Sequence, residues 1–95
     1  MIADFAIAPV GKGESLSAEV AEAFRVIAAS GVRYEHHAMG TNLEGDWDEV
    51  MDVIKACRDK MLRSAGRVSI TIKIDDRPAS GDRLQAKVAS AREKM

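Results

Sequence analysis

Hydrophobic and polar positions alternate strictly along Val68–Asp75, with Val68, Ile70, Ile72 and Ile74 on one side and Ser69, Thr71, Lys73 and Asp75 on the other. A period of two is that of a half-buried strand. The same period runs from Ile2 to Val10, with Ala3, Phe5 and Ile7 opposed to Asp4, Ala6 and Ala8, and it closes at Pro9 and the loop Gly-Lys-Gly-Glu-Ser over 11–15. From Ser17, a candidate N-cap, the period changes to that of a helix carrying Val20, Phe24, Ile27 and Ala28 on one face, with Gly31 placed to stop it. Val32–Met39 reads as a second strand and Thr41–Glu44 as a short third. Asp46, with Glu49 three positions on, forms an aspartate version of the capping box. Behind it, Trp47, Val50, Ile54, Cys57 and Met61 make an apolar stripe that Gly66 ends. After the fourth strand, Asp76–Gly81 reads as a turn, and Asp82 caps a last helix with Leu84, Val88, Ala91 and Met95 in register.

The element order is β-α-β-β-α-β plus a C-terminal helix. It predicts an α+β, ferredoxin-like sandwich: one antiparallel four-stranded sheet with two helices on one face. Residues 1–77 form the ferredoxin-like domain and 78–95 a helical extension of it. The first and fourth strands turn Phe5, Ile7, Ile70 and Ile72 toward the helices. Their other side carries Asp4, Ala6, Ala8, Ser69, Thr71 and Lys73, a face of small and polar groups suited to a second sheet. Self-association is therefore expected; the alternative is a monomer whose last helix folds over its own sheet.

Composition narrows the classes. A chain of 95 residues supports one core. Its apolar fraction of 46%, charged fraction of 31% and net charge of −1 suit a globular protein without a global field for nucleic acid or an anionic membrane. One cysteine excludes an internal disulfide framework and a cysteine-based zinc site. No apolar run is long enough to span a bilayer, and Met1-Ile-Ala-Asp-Phe5 lacks a basic leader region, so a cytoplasmic protein is expected.

Candidate chemistry centres on Tyr34–Val50, where Thr41 and Glu44 stand at the end of a strand running into a helix. Three positions apart, they share a face only if the strand bends at Gly45. His36-His37 resembles a metal pair, but neighbours on a strand point to opposite faces, which leaves one packed and one at the surface. Asp75-Asp76 meets the same objection as an acid/base pair, and a turn acid next to Arg77 is most simply a local ion pair. The loop 9–17 offers backbone amides, Lys12, Ser15 and Ser17 at a helix start, without P-loop spacing and with Glu14 opposing phosphate. Trp47 reads as a core or interface anchor and Cys57 as a small buried hydrophobe.

Three blocks carry a family resemblance: Pro-Val-Gly-Lys-Gly-Glu-Ser-Leu-Ser (9–17), Tyr-Glu-His-His-Ala-Met-Gly-Thr-Asn-Leu-Glu-Gly-Asp-Trp-Asp-Glu-Val (34–50) and Arg-Val-Ser-Ile-Thr-Ile-Lys-Ile-Asp-Asp-Arg (67–77). They resemble the small thiamine-binding protein family, long catalogued as uncharacterised. The resemblance implies a ferredoxin-like homotetramer with sheets packed face to face. It also implies non-catalytic binding of thiamine or its hydroxymethylpyrimidine moiety, with no required cofactor and no metal. By position it assigns ligand contacts to Ser15, Ser17, Thr41, Glu44 and Asp75. A carboxylate such as Glu44 suits the exocyclic amine of an aminopyrimidine. The alternative on the same fold is an acylphosphatase-like enzyme, which wants an arginine in the loop after the first strand, where this chain has Lys12. RNA binding through the sheet wants exposed aromatics and a basic face, and the pattern supplies neither.

Overall fold

A computed structural model describes residues 1–11 and 17–77 together with 91, 92 and 94. Its elements are β1 (Ile2–Pro9), α1 (Ser17–Ala29), β2 (Arg33–His37), β3 (Gly40–Glu44), α2 (Trp47–Leu62) and β4 (Val68–Asp75). The strands form one antiparallel sheet in the order β2-β3-β1-β4, the ferredoxin-like arrangement the pattern predicts. The expected last helix and the extension over 78–95 fall outside the described residues, apart from Ala91, Arg92 and Lys94.

Register fixes the two faces. Phe5 lies opposite Thr41 on one side and Ile72 on the other, and Ile7 opposite Ile70. These side chains therefore point with Ala3 and Leu43 toward the helices, where Ala3, Phe5 and Leu43 join Ala23, Ile27, Val50, Ile54, Cys57 and Met61 in one core. The helices touch where Cys57 Sγ approaches the Ala23 carbonyl at 3.7 Å. Burial pushes the Cys57 thiol up to about 11, so it behaves as the small hydrophobe its position in the stripe suggests. The opposite, open face presents Asp4, Ala6 and Ala8 beside Ser69, Thr71 and Lys73, as the alternation requires.

The structure differs from the sequence reading in four places, two at the ends of elements and two in which side chains are buried. β2 is shorter than Val32–Met39 because Ala38 and Met39 form a two-residue turn, which also starts β3 at Gly40. α2 stops at Leu62, ahead of Gly66: the amides of Ser64 and Ala65 both turn back to the Met61 carbonyl, and among the described residues the positive-φ glycines are Gly11 and Gly31. Trp47 is 53% exposed, so among the described residues it is no core anchor; it lies in the first turn of α2, and burial of the stripe begins at Val50. On α1, Ala23 and Ile27 are buried while Phe24 and Ala28 are not, so the packed stripe is rotated toward Ala23.

Two local devices behave as their residues dictate. Gly31 adopts φ +82, the left-handed conformation that ends α1 without a Cβ penalty. At the start of α2, Asp46 accepts from the Glu49 amide at 2.8 Å, and Glu49 accepts the Asp46 amide at 3.5 Å, completing the capping box. The Glu49 backbone N–H holds the Asp46 carboxyl below its ordinary value.

Candidate functional site

At one end of the sheet, β1 finishes, the β2–β3 turn closes and α1 begins. There a cavity of about 230 Å³ opens between α1 and the sheet. Its floor is Phe5 and Ile7 of β1, one wall is Val20, Ala23 and Ile27 of α1, and the turn residues Ala38 and Met39 stand at its rim. The turn sits close to β1 because Gly40 has no side chain: a Cβ there would lie 2.6 Å from the Phe5 carbonyl oxygen.

A buried polar side chain on the wall of this hollow is that of Thr41, which is only 3% exposed. Its hydroxyl shares a 2.8 Å hydrogen bond with His36 Nδ1, a contact made possible because the two residues are register partners on the helix-covered face. The His36 ring stacks on Phe24 with centroids 3.8 Å apart and planes inclined by 21°, and Tyr34 is tilted against it with centroids 5.1 Å apart. Phe24, His36 and Thr41 thus form a chain from the rim aromatic to the buried hydroxyl. Each member fixes the next before any ligand arrives.

His37 faces the other way. Its Nε2 donates to Asp4 at 2.7 Å and its Nδ1 accepts the Met39 amide at 3.2 Å, which selects the tautomer with the proton on Nε2. The histidine pair is divided between two faces, as strand geometry requires. Among the described residues, no three His, Cys, Asp or Glu side chains come together as a metal-holding group.

The residues singled out from the sequence fall into separate regions. Thr41 lies on the cavity wall. Ser17 begins α1, but its side chain, like the whole of Ser15, is outside the described residues. Ile7 and Val20, which flank that segment in the chain, both line the cavity. Glu44 and Asp75 lie elsewhere: each is a register partner of Ile2, on the open face at the far end of the sheet. The Glu44 side chain is only 9% exposed, with its carboxylate 3.6 Å from the Arg33 guanidinium. Glu44 therefore neighbours Asp75 across one strand, while Thr41 is three positions away and points through the opposite face. His36 and Phe24 were not singled out as ligand residues. The signal for His36 is the two-residue turn, which sets His37 against Gly40 and hence His36 against Thr41.

A model of the thiamine-binding protein family matches residues 3–92. The chain belongs to this family. It is 41% identical over 87 residues to a protein of the uncharacterised group UPF0045 from Mycobacterium tuberculosis, a match covering 90% of this chain and 85% of the relative. Among solved structures, a hypothetical protein from Methanocaldococcus jannaschii superposes with a TM-score of 0.88 at 35% identity, over 97% of this chain and 95% of that one. A Thermotoga maritima protein provisionally assigned to thiamine biosynthesis or salvage superposes with a TM-score of 0.82 at 25% identity, over 96% and 97%.

Proposed function

We propose that this thiamine-binding family member binds thiamine or its hydroxymethylpyrimidine moiety without transforming it, and that the pyrimidine enters the cavity under α1. The observation that carries this reading is the buried Thr41 hydroxyl on the wall of a largely apolar hollow, pre-oriented by its hydrogen bond to His36. A flat ring that is apolar on its faces and hydrogen-bonding at its edge is the chemistry such a wall accepts. The volume also favours one ring over two, since pockets for drug-sized ligands run to about 300–1,000 Å³. We assign Thr41 to the ring edge, and Ser15 and Ser17 to the same ligand from the segment between Ile7 and Val20.

One pyrimidine does not reach both Thr41 and Glu44, which project from opposite faces. We therefore propose Glu44 and Asp75 as acidic contacts acting from the open face, enclosed where a second subunit packs sheet against sheet. The small open-face side chains Ala6, Ala8 and Ser69 support that packing in a homotetramer. The expected setting is the cytoplasm, where a lone free cysteine is ordinary.

Isothermal titration with thiamine, hydroxymethylpyrimidine and the thiazole alcohol tests the reading. Heat with the first two and none with the third is expected. No heat and no thermal shift at millimolar ligand would remove it. Glu44→Gln separates the two regions: weaker thiamine binding keeps Glu44 as a contact, and unchanged affinity excludes it.

A further inference from the structure

The outermost strand, β2, is exposed along its whole length from Arg33 to His37 and forms one edge of the sheet. His37 and Gly40 pair across a two-residue turn, so they must be a hydrogen-bonded pair; the other antiparallel pattern would need a bond between the two turn residues themselves. Alternation then turns the backbone N–H and C=O of Tyr34 and His36 away from β3, off the edge of the sheet. Beside these groups stand Tyr34, 40% exposed, and Phe24, 41% exposed, both on the helix-covered side. An edge with outward peptide groups, flanking aromatics and no proline is a template for another strand.

We infer that this edge pairs with the β2 strand of a second copy of the chain, antiparallel, about a two-fold axis through Tyr34. Two four-stranded sheets then become one continuous sheet. The charge pattern selects both partner and register. In a two-fold antiparallel pair, facing residues lie on the same side of the sheet, so the axis must pass through a residue. An axis through Glu35 sets Glu35 against its own copy, and an axis through Arg33 sets two guanidinium groups together. An axis through His36 places Tyr34 opposite Ala38, in the turn, and cuts the ladder short. The axis through Tyr34 avoids all three faults. It sets Arg33 against Glu35 twice on the open face, Tyr34 against Tyr34 on the helix side, and Val32 against His36 at each end, for about six backbone hydrogen bonds. Arg33 already approaches Glu44 at 3.6 Å, so each guanidinium comes to lie between two carboxylates. This contact needs no ligand in order to form. Combined with sheet-on-sheet packing, its two-fold axis would close a tetramer; alone, it gives a dimer.

Single-cysteine cross-linking of the full chain reads the register, because native Cys57 is buried and does not compete. In the inferred pairing the two copies of position 34 have Cα atoms about 5.5 Å apart, within disulfide reach, whereas copies of position 35 are roughly 8 Å apart and outside it. Under mild oxidation at micromolar concentration, Tyr34→Cys should give a covalent dimer at a rate independent of protein concentration, and Glu35→Cys should stay monomeric on a non-reducing gel. Light scattering of Glu35→Arg, which sets Arg against Arg33, should show half the wild-type mass. The inference is overturned by equal or faster cross-linking at position 35, by no cross-link at position 34, or by an unchanged mass for Glu35→Arg. Those results would leave the edge to a foreign strand or to none.

Discussion

Replacing Thr41 by Val keeps the shape of a buried side chain and removes only its hydroxyl. The residue is 3% exposed and its Oγ1 lies 2.8 Å from His36 Nδ1, so the substitution deletes one protein–protein hydrogen bond and leaves an imidazole nitrogen without that partner. A bond of this kind contributes about 0.5–1.5 kcal/mol net, with the orphaned group pushing the loss toward the upper end. For a domain of this size 1 kcal/mol corresponds to about 4–8 °C in melting temperature, so a drop of that order is expected by scanning calorimetry. Thiamine or pyrimidine affinity should fall as well, by about tenfold if the lost ligand contact is worth ~1.4 kcal/mol. Thr41→Ser retains the hydroxyl and should lose far less affinity. A double-mutant cycle isolates the pair: in a His36→Phe background Thr41→Val should cost little further stability. If Thr41→Val leaves both melting temperature and affinity at wild-type values, the hydrogen bond neither supports the fold nor prepares the cavity, and the site assignment fails with it.

Gly40→Ala drives a methyl group into the Phe5 carbonyl, a backbone atom with little room to yield, and should lower stability by about 1–3 kcal/mol in urea unfolding; an unchanged midpoint would mean that the turn relaxes freely. Because Asp46 is held below its ordinary value near 3.8, its contribution is complete above that value and lost as pH falls through the lower, folded one. The stability gap between wild type and Asp46→Ala should therefore be open at neutral pH and narrow below about 3.8, and a gap that persists in acid would contradict the capping geometry. Cys57, with its thiol pushed up to about 11, should resist a thiol reagent at pH 8 in the native protein and react fully in denaturant; rapid native labelling would reveal opening between the two helices.

Element order, sheet faces and the capping box were legible because each rests on local periodicity. Val68–Asp75 has only one way to bury its β-branched side chains, and Asp46 with Glu49 only one way to satisfy a helix start. The site was legible less evenly. Thr41 was found as a polar residue near a strand end, but spacing alone did not join it to His36, since that contact depends on β2 ending at His37, two residues before the end of the unbroken strand pattern. Glu44 and Thr41 look adjacent in the chain, yet the pleat sends them through opposite faces. Trp47 continues the stripe of α2 by spacing, but the helix has hardly begun there and no element of the described chain covers it. Phe24 shows the reverse: it falls at the margin of its helix face, where a ring can stack on a histidine without entering the core.

His36 belongs to the outermost strand and is tied to the wall of the cavity by its hydrogen bond to Thr41. The imidazole that orients Thr41 is carried on a backbone whose outer edge lies open. Anything that stiffens that strand reduces the freedom His36 must give up when a ligand docks, and a docked ligand stiffens the strand in return. By thermodynamic reciprocity, the two events share one coupling energy of the same size in both directions. On the proposed reading, a ligand in the cavity tightens the pairing of the edge, and the pairing tightens the hold on the ligand, through a single ring.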